Sequence, residues 1–401
     1  MYRKKRMGFI ILMFCLSVSM LAGCSSKNSP QKAISPEPTP SATEKSTTQK
    51  AETPIAPSYA VLRAVGDDII YNTIYWQAQN RTGKAKQYDF APVYANVAPD
   101  IAKADIAMVN QETPLASKVA ALSSYPQFNS PTAVGDQLVS MGFDVVNHAN
   151  NHVLDQGEKG LLATLSYWAE KPNIVVTGAS ADKMKTDIPI ITKNGITFAF
   201  LGYTEMTNGF SLPKDSNATI YYTSDETTMK QQITEANAKA DVVVISVHWG
   251  VEYENKPNEI QKNLAKKMAD WGADIIIGTH PHVVQPVETI KAKDGHETLV
   301  YYSLGNFLAQ QSQISTMLGG MADITVKKDG DSGKITFETA KFVPLVIQCD
   351  KPNARNIRIY KFSQYTKALA QNHVLASKGF TYDGAKNHFS DVIGSSYLSW
   401  E

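Results

Sequence analysis

The chain has 401 residues, 43% of them hydrophobic, and 39 Lys and Arg stand against 38 Asp and Glu for a formal net charge of +1. A balance this even gives no bulk electrostatic reason to bind nucleic acid, and no nucleic-acid partner is expected. Once the ends are set aside, the length allows one large α/β domain, or one domain with an appendage.

The N-terminus is distinctive. Arg3, Lys4, Lys5 and Arg6 form a basic start, and the apolar stretch from Met7 to Met20 is short for a membrane span. It ends in Leu21-Ala22-Gly23-Cys24, which resembles the bacterial lipobox, whose cysteine becomes the lipidated first residue of the mature chain. Residues 1–24 are therefore expected to be a lipoprotein signal peptide with Cys24 as the lipidation site. The alternatives are an ordinary secretory signal with a chance cysteine, or an uncleaved anchor. An acylated Cys24 would fix the protein to the extracytoplasmic face of the cell membrane without spanning it. Residues 25–58 are rich in Ser, Thr, Pro, Lys, Glu and Ala and nearly free of large apolar residues. They cannot bury enough surface to offset their ordering entropy and read as a disordered tether. Of three cysteines, Cys15 lies in the apolar signal core and Cys349 is left alone, so no disulfide is expected. Cys349 reads as a small core residue.

The expected folded domain covers residues 59–348, with 349–401 as a C-terminal extension. Ala60 to Val65 reads as a strand running into Gly66-Asp67-Asp68, and Ala91 to Ala104 has helical spacing. Asp105 to Val109 is a second buried strand, ending at Asn110-Gln111-Glu112. Thr132 to Met141 is helical with Gly142 as its stop. Phe143 to Val146 is a third strand, followed by "NHANNHVLDQG", and Gly157 to Glu170 is helical. Ile174 to Thr177, Ile190 to Thr192 and Ile196 to Tyr203 are strands, with a hairpin turn at Asn194-Gly195. Thr227 to Ala240 is a helix, Asp241 to Val247 a very apolar strand, Asn258 to Trp271 a helix and Asp274 to Ile277 a strand. Pro286 to Ile290, Thr298 to Ser303, Met321 to Lys327 and Lys334 to Ile347 are further strands, and their hairpins suggest a second sheet packed on the first. The last fifty residues are expected to give a short helix and little else. Alternating strands and helices argue for a layered α/β fold of two packed β-sheets flanked by helices.

Polar clusters recur just after the carboxyl ends of these strands, which is where open α/β sheets bind ligands. They are Asp67 and Asp68; Asn110 and Glu112; Asn147 to His152; His248; and His280 with His282. Each has a bland alternative: Asp67 or Asp68 capping a turn, Glu112 in a solvated loop, His248 stacked in the core beside Trp249. In Gly278-Thr279-His280-Pro281-His282, Pro281 biases His280 toward extended backbone, where residues two apart share a side and two imidazoles would be presented together. His148 and His152 are four apart, as in the zinc helix of metalloproteases. That helix needs a glutamate after its first histidine, but Ala149 stands there and two asparagines follow, so a loop fits better. A mixed oxygen and nitrogen set suits Mn, Fe, Zn or Co and is poor for Cu(I). Two such ions sharing a carboxylate could activate water and clamp the oxygens of a phosphoryl group.

The series Gly66-Asp67, Asn110-Gln111-Glu112-Thr113-Pro114, Asn147-His148-Ala149-Asn150-Asn151-His152, His248-Trp249-Gly250, Gly278-Thr279-His280-Pro281-His282 and Ser303-Leu304-Gly305-Asn306-Phe307 resembles the CapA family. These are bacterial capsule synthesis proteins linked to poly-γ-glutamate, and the order and spacing match over Tyr59 to Gln311. The family looks like a branch of the calcineurin-like metallophosphoesterases. The resemblance implies a divalent metal centre of one or two Mn, Fe or Zn ions. It gives Asp67 as first ligand, Glu112 as bridging acid, Asn151 as amide ligand, and His248, His280 and His282 as imidazole ligands. His152 takes the place of the general acid, with Asp155 orienting it. Asp68, Asn110, Asn147, His148 and Asn306 fall around this set as supporting residues. Two departures stand out: Ile69 replaces a histidine of the parent pattern, and Glu112 replaces the usual aspartate. The first either weakens one metal site or is compensated by Asp68. The implied role is capsule or poly-γ-glutamate synthesis or export at the cell surface. Its partners would be membrane subunits of a polymer synthase, and its substrate an anionic polymer or a phosphoester. The alternative is a non-catalytic polymer-binding or scaffold subunit.

Overall fold

The computed structural model describes residues 55–185 and 187–401. The signal segment, Cys15, Cys24 and most of the tether lie outside the described residues. In chain order the strands are β1 (Ser58–Asp68), β2 (Ile106–Gln111), β3 (Val145–Asn147), β4 (Val175–Thr177), β5 (Ala179–Ser180), β6 (Ile190–Lys193), β7 (Ile196–Thr204), β8 (Thr219–Ile220), β9 (Val242–His248), β10 (Ile275–Thr279), β11 (Val287–Lys291), β12 (Glu297–Tyr301), β13 (Asn306–Leu308), β14 (Leu318–Lys328), β15 (Ile335–Asp350) and β16 (Arg355–Lys361). The helices are α1 (Asn72–Thr82), α2 (Ala91–Tyr94), α3 (Ala98–Ile101), α4 (Ala133–Met141), α5 (Gly157–Ala169), α6 (Glu226–Lys239), α7 (Glu259–Asp270), α8 (Lys367–Asn372) and α9 (Tyr382–Ile393).

Two sheets carry the site. The first runs β16-β15-β14-β1-β2-β3-β4, with the short β13 also paired to β1; the second runs β11-β12-β10-β9-β7-β6. Strands β1 to β4 are mutually parallel, as are β7, β9, β10 and β12. Their carboxyl ends therefore gather at one rim of each sheet.

The second sheet shows why its strands are apolar without interruption. Along β9, Val242 and Val244 enter the core shared by the two sheets, while Val243, Ile245 and Val247 enter a separate core. That outer core is completed by Met229 and Ile233 of α6 and by Leu264 and Met268 of α7. A strand buried on both faces needs apolar residues at every position. The helices have conventional signals. Asp225 caps α6 through the Thr228 amide, and α7 opens with a capping box between Asn258 and Gln261. Gly142 ends α4 at φ 95°, and the β6–β7 hairpin turns on Asn194 (φ 51°) and Gly195 (φ 77°) as its sequence requires.

Four expectations are corrected. Residues 91–104 form two four-residue helices, because Pro99 lacks the N–H that a continuous helix would use. The late hairpin strands β14 to β16 extend the first sheet, pairing along the open edge of the long β1; the second sheet is built from residues 190–301. The tether yields to the fold before its expected end: β1 starts at Ser58, opposite Lys328, and the Ile55 amide donates to Asp331. The last fifty residues hold a strand, two α-helices and a set of buried aromatics, including Phe362, Phe380 and Phe389, that join the shared core. Cys349 is buried in that core as expected.

Candidate metal centre

The rim of the first sheet delivers Asp67 from the end of β1, Asn110 from β2, Glu112 just beyond it, and Asn147 from β3. The rim of the second delivers His248 from β9 and His280 and His282 after β10. The two rims meet: His248 Nδ1 lies 3.8 Å from Asp67 Oδ1, and His282 Nδ1 lies 3.3 Å from Asp67 Oδ2. All seven residues are buried.

Close backbone approach sets this meeting. A Cβ on Gly66 would collide with the Gly305 carbonyl oxygen, and one on Gly278 with that of Tyr302. Glycine is the residue that fits where two main chains come this near. The Asp67 amide donates to the Gly305 oxygen at 3.0 Å, tying β1 to the turn before Asn306.

Asp67 is held on both oxygens. Asn110 Nδ2 donates to Oδ1 at 2.7 Å, and the His280 backbone amide donates to Oδ2 at 3.1 Å. Asn110 is itself fixed by Asn147, whose Nδ2 donates to Asn110 Oδ1 at 2.9 Å. Glu112 differs: it is buried, and neither of its oxygens has a hydrogen-bond partner. Its Oε1 lies 3.9 Å from His152 Nε2 and 3.9 Å from His282 Nε2. Burial, and then the neighbouring Asp67 charge, hold its carboxyl well above the usual carboxylate range. Asp67, Glu112 and His282 bring one ligand atom each within 4.8 Å of one another.

A second group converges beside the first. His248 Nε2 is 3.0 Å from Asn151 Oδ1 and 3.1 Å from His280 Nδ1. Burial, and then the nearby histidines, hold His248 well below the ordinary imidazole value, and burial pushes His280 down to about 3. Both are therefore neutral near pH 7, the form that binds metal.

His280 does not take the extended backbone that Pro281 suggested. It adopts φ 96° and His282 adopts φ 57°. The turn is held from outside, by the His280 amide on Asp67 and by the Tyr253 amide on the Pro281 oxygen at 2.8 Å. Side-chain residues in this region cost about 1–3 kcal/mol each and persist only where the surroundings impose them. The two rings still face a common space, 5.9 Å apart between centroids.

The "NHANNHVLDQG" stretch is a loop after β3, and its two histidines part company. His148 turns into the protein and accepts from the Trp168 indole N–H at 2.6 Å; burial pushes it down to about 3. His152 turns toward Glu112, with its Nδ1 2.7 Å from Asp155 Oδ2 and the Phe128 ring edge-on at 4.8 Å. Asp155 Oδ2 also accepts from the Phe128 amide. The two aspartates part in the same way. Asp68 faces away from the rim and accepts from the buried Tyr94 hydroxyl at 2.9 Å, and burial raises it to about 7. It offers the site only its main-chain oxygen, which accepts from the Glu112 amide. In this geometry its carboxylate does not stand in for the missing histidine, whose position is held by the buried Ile69. Asn306 receives His282 Nδ1 at 3.1 Å and donates to Gln311 and the Thr316 oxygen.

Two contributors, Asn208 and Thr279, have no role in the sequence-based expectations. Asn208 meets Asn151 Nδ2 at 3.3 Å and lies 3.5 Å from His152 Nδ1, and Thr279 Oγ1 is 2.9 Å from His248 Nδ1. Asn208-Gly209 signals a turn, but nothing local says that it folds back on residues fifty positions earlier.

A family described as "Bacterial capsule synthesis protein PGA_cap" matches residues 61–311, a stretch that includes every rim residue above. The chain belongs to that family. Members of the capsule synthesis family similar to it include the PGA biosynthesis protein CapA of Bacillus subtilis (strain 168), 39% identical over 195 residues, covering 48% of this chain and 50% of that one. Another is the capsule biosynthesis protein CapA of Bacillus anthracis, 32% identical over 255 residues, covering 62% of this chain and 59% of that one. The chain thus spans between half and three-fifths of the length of these relatives. Among solved structures it is similar to the NAD nucleotidase of Haemophilus influenzae, at 12% identity and a TM-score of 0.41, over 86% of this chain and 65% of that one.

Proposed function

We propose that this member of the capsule synthesis family is a surface-anchored, divalent-metal-dependent hydrolase acting in capsule or poly-γ-glutamate synthesis or export. The bond cleaved would be a phosphoester, or an amide bond of an envelope polymer. The anchor would be lipid on Cys24 at the extracytoplasmic face of the membrane, and membrane subunits of a polymer synthase would be its partners. The basic start, apolar core and Leu21-Ala22-Gly23-Cys24 order support that part.

Glu112 carries the catalytic reading. A buried carboxylate with no donor on either oxygen, beside a second carboxylate, is costly unless a cation completes it. The donor set fits a divalent ion: Asp67, Glu112 and His282 would hold one, and Asn151, His248 and His280, which converge beside them, would hold a second. Such an ion supplies Lewis acidity and a nucleophile from water at neutral pH. The chain's own residues do the rest. Asn306 receives His282 Nδ1 and leaves Nε2 facing Glu112. Asp155 receives His152 Nδ1, so that Nε2 can hold a proton for the leaving group. Phe128 shields that pair from water on one side.

The test is Mn²⁺ titration of the purified full chain by calorimetry, with a hydrolase screen on phosphoester and peptide substrates. Bound metal and turnover, both lost in Glu112→Gln, are expected. A folded protein with neither would sink the proposal. If secretion of polymer survives alanine at Glu112 and His280, the chain is a scaffold instead.

A further inference from the structure

A cleft of about 460 Å³ opens directly off the centre, with His152 and His282 in its inner wall. This is the size of a small-molecule site. Its outer wall is aromatic and amide-rich: Tyr71, Tyr125, Phe128 and Tyr253, with Gln311 and the carboxylate of Glu252. Among the described residues, its lining contains no lysine and no arginine. Tyr71 and Tyr125 both pack on Phe128, at 5.2 and 6.4 Å between ring centroids, and Tyr253 lies 6.2 Å from His282. Tyr253 is fixed by an unusual backbone, φ 70°, with its amide on the Pro281 oxygen. The Tyr71 and Tyr253 phenols stay neutral near pH 7. Burial first and Glu252 next push Tyr253 up to about 12, and burial first and Glu112 next raise Tyr71.

Aromatic faces attract cations through their quadrupole, and a carboxylate at the same wall adds to the attraction. The Glu252 carboxylate repels an anion, and among the described lining residues no lysine or arginine stands ready to pair with one. We propose that the cleft is a binding site for an organic ammonium group, quaternary or protonated, lodged among Tyr71, Tyr125 and Tyr253 and facing Glu252. The inference rests on the hydrolase reading, because the amine would belong to the substrate whose scissile end meets Glu112 and His282. The substrate is then zwitterionic: its anionic or carbonyl end goes to the metal centre and its ammonium to the cleft. Two sources share this chemistry, the free amino end of a polyamide chain and an amino-alcohol phosphoester.

The full chain is titrated with choline and with its neutral isostere 3,3-dimethylbutan-1-ol, with and without Mn²⁺. Choline should bind about tenfold more tightly than the isostere, and Glu252→Gln should weaken choline about fivefold while leaving Mn²⁺ affinity unchanged. Tyr253→Phe, which keeps the ring, should retain choline; Tyr253→Ala should lose it. Equal binding of choline and isostere, no choline binding, or an unchanged Glu252→Gln would overturn the proposal. Choline binding without Mn²⁺ binding upholds the cleft and removes the metal reading; Mn²⁺ binding without choline binding does the reverse. Stronger binding of phosphocholine than of glycylglycine assigns the amine to an amino-alcohol phosphoester, and the opposite order assigns it to a chain end. Either order supports the site.

Discussion

Two sides of the same strand ends behave in opposite ways. On the rim side, Asp67, Glu112, His152 and His282 crowd together with carboxylate oxygens left without donors. On the inner side, one residue or one loop turn away, Asp68 is matched to Tyr94 and His148 to Trp168. The residue types are the same, a carboxylate and an imidazole on each side. Each inner group has a protein donor: Trp168 meets His148, and Tyr94 meets one oxygen of Asp68, whose Oδ2 alone is left without a partner. Glu112 has no donor on either oxygen and stands against a second carboxylate, and that difference marks the rim as a place for a ligand.

The contrast can be broken in several ways. Its largest expected effect is at Glu112. Glu112→Ala should weaken Mn²⁺ binding by about a hundredfold or more in calorimetry, while the metal-free variant melts at or above the wild type because an unpaired buried carboxylate is gone. A melting temperature that falls sharply in the metal-free variant would mean that Glu112 is structural. His148→Ala should do the opposite, costing about 2–4 kcal/mol in urea unfolding by opening a cavity and orphaning the Trp168 N–H. Its Mn²⁺ affinity should not change; if it does, the two sides are not separate. Chelation of the metal-loaded wild type should lower its stability by about 2.7 kcal/mol for each hundredfold excess of metal over Kd, and should leave Glu112→Ala unmoved.

A pH series sharpens the inner side. The folded His148 titrates at about 3 against an ordinary 6.5, so between these values the unfolded chain binds the extra proton. The contribution is complete above pH 6.5 and is lost as pH falls toward 3. His148→Gln, which can still accept from Trp168 but does not titrate, should give a shallower acid limb in stability measured from pH 7 to 4. The smallest effect expected is at Tyr94→Phe. Losing one buried hydrogen bond to Asp68 should cost about 1–2 kcal/mol in unfolding and nothing in metal affinity.

The rim was legible in the sequence because strand ends are legible. Runs such as Val242 to Val247 announce a strand buried on both faces, and the polar residue that follows marks its end. What escaped was contact made across long separations. Asn208 meets Asn151 and His152 through a turn whose path no local pattern states. The backbone of His280 obeys the Asp67 carboxylate more than 200 positions earlier rather than its own proline. The C-terminal strand and helix carried weak but real periodicity. Ile357 and Ile359 alternate along β16, and Ala385, Phe389 and Ile393 recur every four residues along α9. Polar neighbours diluted both signals. The same dilution hid α1, where only Ile74, Tyr75 and Ala78 are buried.

The contact of Gly66 with the Gly305 carbonyl has a consequence for how this rim can change. Side chains elsewhere in a protein act as shims, and swapping a larger for a smaller one lets two elements drift apart or together. Here main chain lies on main chain, so there is no shim to swap. A library of variants at this rim can exchange the atoms presented at each position but cannot respace the positions. An exchange at Ile69 or Glu112 would be of that permitted kind: a new group set into a fixed socket.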